Sequence, residues 1–454
     1  MSDLLLTFYG DDFTGSTDVT EALTWNGIPA VLFLEPPTPD FVRAHFPHAR
    51  AVGVAGISRS LKTAELQAAL PGQFEKLAAL GATLFHYKVC STFDSSPEIG
   101  SIGAAADIGW AHFRPRAVPL LVGAPILKRY VAFGNLFAGV NGVTYRLDRH
   151  PTMPKHPVTP MHEADLRVHL GRQTSRRMGL VDWLTIQRGP DAVSAAWHEQ
   201  MAGGAQIIVL DTLSESDLLT LGEFLWQQAS SGDCPFVIGS SGVEYALAAH
   251  WRASGLAGPT AAPASVLPVD QIVVVSGSAA PGTAAQLAWA EQNGFQVHRL
   301  NTLRLIDEAS ADAEREAMVA LACDILAQGK SPVLFSAWGP DDPAIAETRA
   351  SLAERGLNTA SVSPLLGAQQ GRILREIVQR TGIRRAIVTG GDTCGHAAQQ
   401  LGIYALETIL PLAPGAPLCR ARAYDADFEG LEISLKAGQV GRADYFGSVL
   451  RGRL

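Results

Sequence analysis

The chain has 454 residues, 47% of them hydrophobic and 18% charged, with a formal net charge of −8. Its length exceeds one comfortable core and predicts two domains of about 200 residues each, and its composition excludes a disordered chain. The acidic balance argues against a nucleic-acid partner, which needs a basic surplus to neutralise phosphates, but leaves room for a small anion held by a local cation cluster.

In chain order, short apolar runs alternate with helical patterns. Strands are predicted at Leu4–Tyr9, Ala30–Leu34, Ala51–Ala55, Leu84–Tyr87, Pro119–Val122, Ile207–Leu210 and Phe236–Gly239. Stretches between them, such as "TAELQAALPGQFEKLAAL", carry apolar residues at helical spacing. This alternation indicates α/β layering around a largely parallel, buried sheet. The segment "LDRHPTMPKHPVTPMHEADL" (147–166) holds four prolines, which predicts a long functional loop ahead of a helix near His162. "SGLAGPTAAPASVLPVDQ" (254–271) reads as an interdomain connection. The pattern then restarts at "IVVVSGS" (272–278), "PVLFSAWG" (332–339) and "RAIVTGGDT" (385–393). The expected architecture is two α/β domains with largely parallel sheets, residues 1–262 and 263–454, and a substrate cleft between them.

The first predicted strand runs into two adjacent acids in "LLLTFYGDDFTGSTDV" (4–19). Ligands of open α/β sheets bind beyond the carboxyl ends of the strands, where Asp11 and Asp12 are expected. Carboxylates accept hydrogen bonds from the vicinal hydroxyls of a polyol, and one beside an attacking hydroxyl can take its proton during phosphoryl transfer. A solvated turn is the bland alternative for the pair. Asp18, with Glu21 three residues on, reads as a helix-capping box. The adjacent order departs from the Asp-x-Asp of haloacid-dehalogenase phosphatases, which disfavours that class. Arg59 and Lys88 also follow apolar runs. Either alone reads as a surface cation; with Asp11 and Asp12 they suggest a site for a hydroxylated anion, with Asn135, His156 and Thr159 adding contacts from loops. His150, His156 and His162 recur every six residues, which matches no metal-ligand spacing on a helix.

"IVTGGDTCGHAAQQLG" (387–402) reads as a strand end, a tight Gly390–Gly391 turn and a helix from Gly395. Free N–H groups at such a helix start bind phosphate without lysine. Asp392 beside a phosphate calls for an intervening cation, so magnesium is inferred near it; the alternative is a glycine turn with Asp392 or Thr393 capping the helix. "VSGSAAPGT" (275–283) and "LKAGQVG" (435–441) are two more glycine-bearing turns, and the three together suggest a nucleotide cradle. No GxxxxGK[ST], strand-following GxGxxG or GxSxG motif occurs. Cys90, Cys234, Cys323, Cys394 and Cys419 are scattered without CxxC spacing, and the start lacks a basic leader, so reduced thiols in a soluble cytoplasmic protein are expected. The longest apolar stretch, "AVPLLVGAPIL" (117–127), falls short of the roughly 18 residues of a membrane span, and no membrane partner is expected.

With these pieces placed, the chain resembles the four-carbon acid sugar kinase family over nearly its full length. The motifs that carry the resemblance are "GDDFTGSTD" (10–18), "KVCSTFDSS" (88–96), "KHPVTPM" (155–161), "TGGDTCG" (389–395) and "LKAGQVGRADYF" (435–446). The resemblance implies an N-terminal sugar-acid-binding domain, a C-terminal ATP-binding domain, and ATP-dependent phosphorylation of the terminal (4-) hydroxyl of four-carbon acid sugars or their 3-oxo forms. Carried over by motif, Asp11, Asp12, Arg59 and Lys88 serve the substrate, with Asp12 preferred as base. Ser276, Gly390, Gly391, Asp392, Thr393 and Gly438 serve the nucleotide, with Mg2+ bridging its phosphates. Two departures fall in the substrate half: "GAPILKRYVAFGNLF" (123–137) stands where many tetronate kinases carry an Asn-Gly-Arg element, and "YGDDFTGS" replaces a commoner Ala-Asp-Asp opening. The "FGNLF" segment resembles the branch acting on 3-oxo-isoapionate, with 3-oxo-tetronate, threonate and erythronate as alternatives. The rival of another class is a non-catalytic sugar-acid sensor. The expected partner is a small acid sugar, and a homo-oligomer is left open.

Overall fold

The computed structural model describes residues 4–140, 142–156, 158–258, 266–356 and 362–453. The chain divides into two compact α/β units, Met1–Ala261 and Ala262–Leu454. The expected boundary at 262/263 lies outside the described residues.

In the first unit the strands are Leu6–Gly10 (β1), Ala30–Phe33 (β2), Ala51–Ala55 (β3), Leu84–Lys88 (β4), Val118–Leu121 (β5), Arg129–Ala132 (β6), Asn135–Val140 (β7), Val143–Arg146 (β8), Met178–Val181 (β9), Ile207–Leu210 (β10) and Phe236–Gly239 (β11). Eight form one parallel sheet in the order β2-β3-β1-β4-β11-β5-β10-β9. Helices cover such strands on both faces, and β1 to β5 are accordingly buried end to end. Against this sheet Phe74 packs among Tyr9, Phe85, Tyr87, Phe113 and Phe236 with ring centroids 4.9–6.1 Å apart. The chain runs from β1 to the edge at β2, returns through β3, and crosses to the other side of β1 at β4. That reversal puts a topological switch point at the carboxyl ends of β1 and β4, the usual ligand crevice of such sheets.

β6, β7 and β8 form a separate antiparallel sheet that the sequence reading did not anticipate. It accounts for the variant 123–137 segment, and the left-handed Phe133 (φ 51) and Gly134 (φ 79) make its first turn. The proline-rich 147–166 segment is irregular over most of its described residues. It holds 3-10 turns at Leu147–Arg149 and Met153–Lys155, and its helix starts at Leu166 with Asp165 as N-cap, not near His162.

The second unit's strands are Val273–Ser276 (β12), Gln296–Arg299 (β13), Pro332–Phe335 (β14), Arg385–Thr389 (β15), Ile403–Leu410 (β16), Leu418–Ala423 (β17) and Glu432–Lys436 (β18). The order is β13-β14-β12-β15-β18-β17-β16, parallel from β13 through β18 and antiparallel for β17 and β16. The same reversal recurs: β12 to the edge at β13, back through β14, then across to β15. The switch point therefore lies at the ends of β12 and β15, and β18 flanks β15. Ile272, Val274, Leu287, Val333, Ile387, Tyr445 and Phe446 belong to the core packed there.

Candidate active site

At the first switch point, Gly10 of β1 stands in register with Lys88 of β4, so the residues that follow β1 meet the end of β4. The Asp11 N–H donates to the Lys88 carbonyl at 2.9 Å, which turns the chain out of the sheet. Asp12 is the N-cap of the helix Phe13–Trp25: its carboxylate accepts from the Gly15 N–H and the Thr14 hydroxyl, each at 2.9 Å. The capping role expected of Asp18 thus belongs to Asp12, because the helix begins one turn and more before the expected start.

The cations come to the same place. Arg59 clasps Asp11 through both oxygens (Nη2–Oδ1 2.7 Å, Nε–Oδ2 3.1 Å) and reaches Asp12 Oδ1 at 2.9 Å. The Asp11 side chain is only 5% exposed, whereas Asp12 and Arg59 are each 24% exposed. Burial pushes the Asp11 carboxyl up and Arg59 pulls it back, while the surrounding Asp11, Asp12, Cys90 and Asp94 hold Arg59 protonated against its own burial. Lys88 is buried, and Gly15 makes room for it: a methyl there would lie 2.4 Å from Asp12 Oδ1 and 2.8 Å from Lys88 Nζ. Two acids and two cations therefore meet where β1 and β4 end. Asp11 is committed to Arg59, and Asp12 is the acid with an accessible face.

The "KVCSTFDSS" segment joins them. Asp94 accepts from Thr92 at 2.6 Å and faces the Thr159 hydroxyl at 3.5 Å; against its burial, Arg59 and Thr92 hold its carboxyl below the usual range. His156 Nδ1 accepts from the Thr159 N–H and meets its hydroxyl, both at 3.0 Å. Asn135 sits on β7 and donates to the Phe133 carbonyl; no described contact ties it to the Asp11–Arg59 pair. Its hairpin is pinned by Asp211, whose carboxylate accepts from the N–H groups of Phe133, Gly134 and Trp183, and which burial pushes up to about 6. Behind the site, both ring nitrogens of His86 face oxygens: Glu244 Oε1 at 2.5 Å and the Gly239 carbonyl at 3.1 Å. His150 and His156 accept bonds within their own turns, and no cluster of His, Cys, Asp or Glu suited to a metal exists among the described residues.

In the second unit Ser276, Thr389 and Lys436 end β12, β15 and β18 in mutual register. Gly390, at φ +127°, is the N-cap of a helix that spans Gly391–Gln400, so the helix starts four residues before the expected Gly395 and neither Asp392 nor Thr393 caps it. The Asp392 side chain lies outside the described residues. Thr393 packs into this turn: a methyl on Gly277 or Gly390 would fall 2.2 or 2.9 Å from its Oγ1. The "LKAGQVG" turn closes over the "SGSAAPG" turn, since a methyl on Gly438 would lie 1.9 Å from Ser278 Oγ and Thr283 Oγ1 donates to the Gly438 carbonyl at 2.9 Å. The three glycine-bearing turns thus converge on one spot. The Ser276 Oγ there is buried and has no hydrogen-bond partner among the described residues.

Comparison with known proteins bears on these two centres. The sugar-binding N-terminal domain family matches residues 6–247, and the nucleotide-binding C-terminal domain family matches residues 273–446. A 3-oxo-isoapionate kinase of Paraburkholderia graminis is 48% identical over 451 residues, covering 99% of this chain and 95% of that one. The chain belongs to the four-carbon acid sugar kinase family. Another relative, a 3-oxo-tetronate kinase of Cupriavidus necator, is 32% identical over 98% of this chain and 96% of its own. A crystal structure of a candidate tRNA synthase from Salmonella typhimurium LT2 shares the fold with a TM-score of 0.79 at 27% identity, covering 99% of both chains. Among the described residues no helix is long and apolar enough to cross a membrane.

In this acid sugar kinase, sequence reasoning passed over Asp211 and Lys436 and gave Asp94 no role. Asp211 and Lys436 carry the signal that pointed to Asp11 and Lys88, a polar residue at or just past the end of an apolar strand, whereas Asp94 lies in the loop beyond β4 and lacks it. The His86–Glu244 pair carries no local signal, since its members stand 158 residues apart.

Proposed function

We propose that this protein is an ATP-dependent kinase that phosphorylates the terminal (4-) hydroxyl of a small acid sugar, with 3-oxo-isoapionate as preferred substrate. The observation that carries the reading is the Asp12 carboxylate, half-open beside Arg59 and Lys88, in a chain 48% identical to a 3-oxo-isoapionate kinase. Asp12 would accept the hydroxyl proton as the γ-phosphoryl group arrives. Arg59, whose Nη1 has no protein partner among the described residues, and Lys88 would hold the sugar's carboxylate. ATP fits the second unit by the unpartnered Ser276 hydroxyl and the converging turns at Ser276, Gly390, Gly391, Thr393 and Gly438. A neighbouring cavity of about 410 Å³, lined by Leu412, Ala413, Pro414, Arg442 and Tyr445 among others, is roomy enough for a purine and largely apolar. Magnesium would ride on the phosphates, which supply most of its ligands, with one carboxylate such as Asp392 sufficing from the protein. An ATP-consuming enzyme of this kind works in the cytoplasm.

An ADP-release assay over 3-oxo-isoapionate, 3-oxo-tetronates, threonate and erythronate checks the substrate. The highest kcat/KM is expected on 3-oxo-isoapionate, since the chain is 48% identical to a kinase of that substrate and 32% identical to a 3-oxo-tetronate kinase. Highest efficiency on a 3-oxo-tetronate would shift the substrate within the family, and activity on none would leave the sensor reading.

A further inference from the structure

The least comfortable charge in the second unit is Lys436. It is fully buried at the carboxyl end of β18. Its ammonium has three donors, and the hydrogen bond it makes goes to Thr389 Oγ1 at 3.1 Å; no carboxylate lies within salt-bridge distance among the described residues. The nearest π face is the Tyr445 ring, 5.6 Å from Nζ. A buried cation without a counter-charge is among the most expensive groups a protein can hold. Burial accordingly pushes its pKa down to about 8.

Its surroundings say what it is kept for. Side chains in register on neighbouring parallel strands project to the same face, so Ser276, Thr389 and Lys436 form one polar row at the sheet's carboxyl edge. Thr389 Oγ1 continues to Thr283 Oγ1 at 3.4 Å, and Thr283 bonds Ser278 and the Gly438 carbonyl. At the other end of the row, the Ser276 hydroxyl is buried and has no partner among the described residues. Among the described side chains, hydroxyls and an ammonium meet at the three glycine turns with no acid to balance them.

We propose that Lys436, flanked by Thr389 and Ser276, is the cationic floor of the phosphate site, its missing counter-charge being the bound nucleotide's phosphates. This rests on the kinase reading and assigns the residue that supplies charge to the transferring end of ATP. It also explains how the site dispenses with the lysine of a GxxxxGK[ST] loop: the cation comes from a strand end beneath the glycine turns.

The test is titration calorimetry of ATP–Mg2+ with the full chain, its K436M variant and its K436Q variant, alongside the melting temperature of each nucleotide-free protein. Methionine keeps the length of the chain and removes the charge. The expected result is that both variants bind ATP–Mg2+ about ten- to a hundredfold more weakly, with KM for ATP rising, while the free proteins melt at or above the parent temperature. Affinity for the acid sugar should not move. A purely structural lysine predicts the reverse: lower melting temperatures in both variants and unchanged nucleotide affinity, and either finding overturns the proposal. If the parent protein takes up no ATP–Mg2+, the kinase reading falls with it; if the parent binds and K436M binds equally, only the lysine's role falls.

Discussion

Replacing Asp12 with Asn is expected to leave a folded protein with turnover reduced about 10²- to 10⁴-fold, the usual contribution of a positioned general base. The substitution is clean for a structural reason. Asp12 caps the helix Phe13–Trp25 through the Gly15 N–H, and asparagine caps as well as aspartate does, so the helix start survives. The Oδ1 that faces Gly15 and Arg59 is retained, while the basicity at the second oxygen, now bonded by Thr14, is lost. Steady-state kinetics and a melting curve on the same preparation check this. Near-normal kcat would remove Asp12 as base, and a large fall in melting temperature would show that the cap had dominated.

Arg59→Met should be the most damaging single change to the first unit. It removes both bonds to a carboxylate that is almost wholly buried, and stranding such an acid costs about 3–5 kcal/mol. The pH dependence follows from the sign of the Asp11 shift. Burial already holds this carboxyl above its ordinary pKa even with Arg59 present. A group shifted this way favours the folded state while protonated and loses that contribution as pH rises through its folded pKa. Without Arg59 the folded pKa climbs further, so the deficit of Arg59→Met against the parent protein should be largest near pH 8 and shrink towards pH 5. Denaturant melts at the two pH values read it directly. An equal deficit at both would mean that lost packing, not a stranded charge, is the cause. Activity should fall as well, through a raised KM for the sugar acid.

The parallel strands were legible because they are buried on both faces and read as short apolar runs; Ala51–Ala55, Ile207–Leu210 and Phe236–Gly239 match their strands end to end. The hairpin at β6 to β8 was not, because its strands are half-exposed and its pattern, "RYVAFGNLFAGV", mixes small, aromatic and charged residues. The start of the first helix was missed because a contact distant in sequence sets it. Asp18 with Glu21 satisfies the capping spacing, but the turn made by Asp11 and the Lys88 carbonyl sets the helix in motion at Phe13, and a tertiary hydrogen bond leaves no mark in local sequence. The acids and cations were found by position at strand ends, whereas their pairing was not. Only the fold reveals that Asp11 spends its charge on Arg59 and leaves Asp12 open.

The central claim is that the γ-phosphoryl group of ATP passes to a hydroxyl of an acid sugar. Phosphorus NMR of the full chain with ATP–Mg2+ and 3-oxo-isoapionate follows that transfer in one tube. The expected spectrum shows a new sugar phosphomonoester growing in step with ADP. Inorganic phosphate in its place, or an unchanged ATP spectrum in the presence of bound sugar acid, would contradict it.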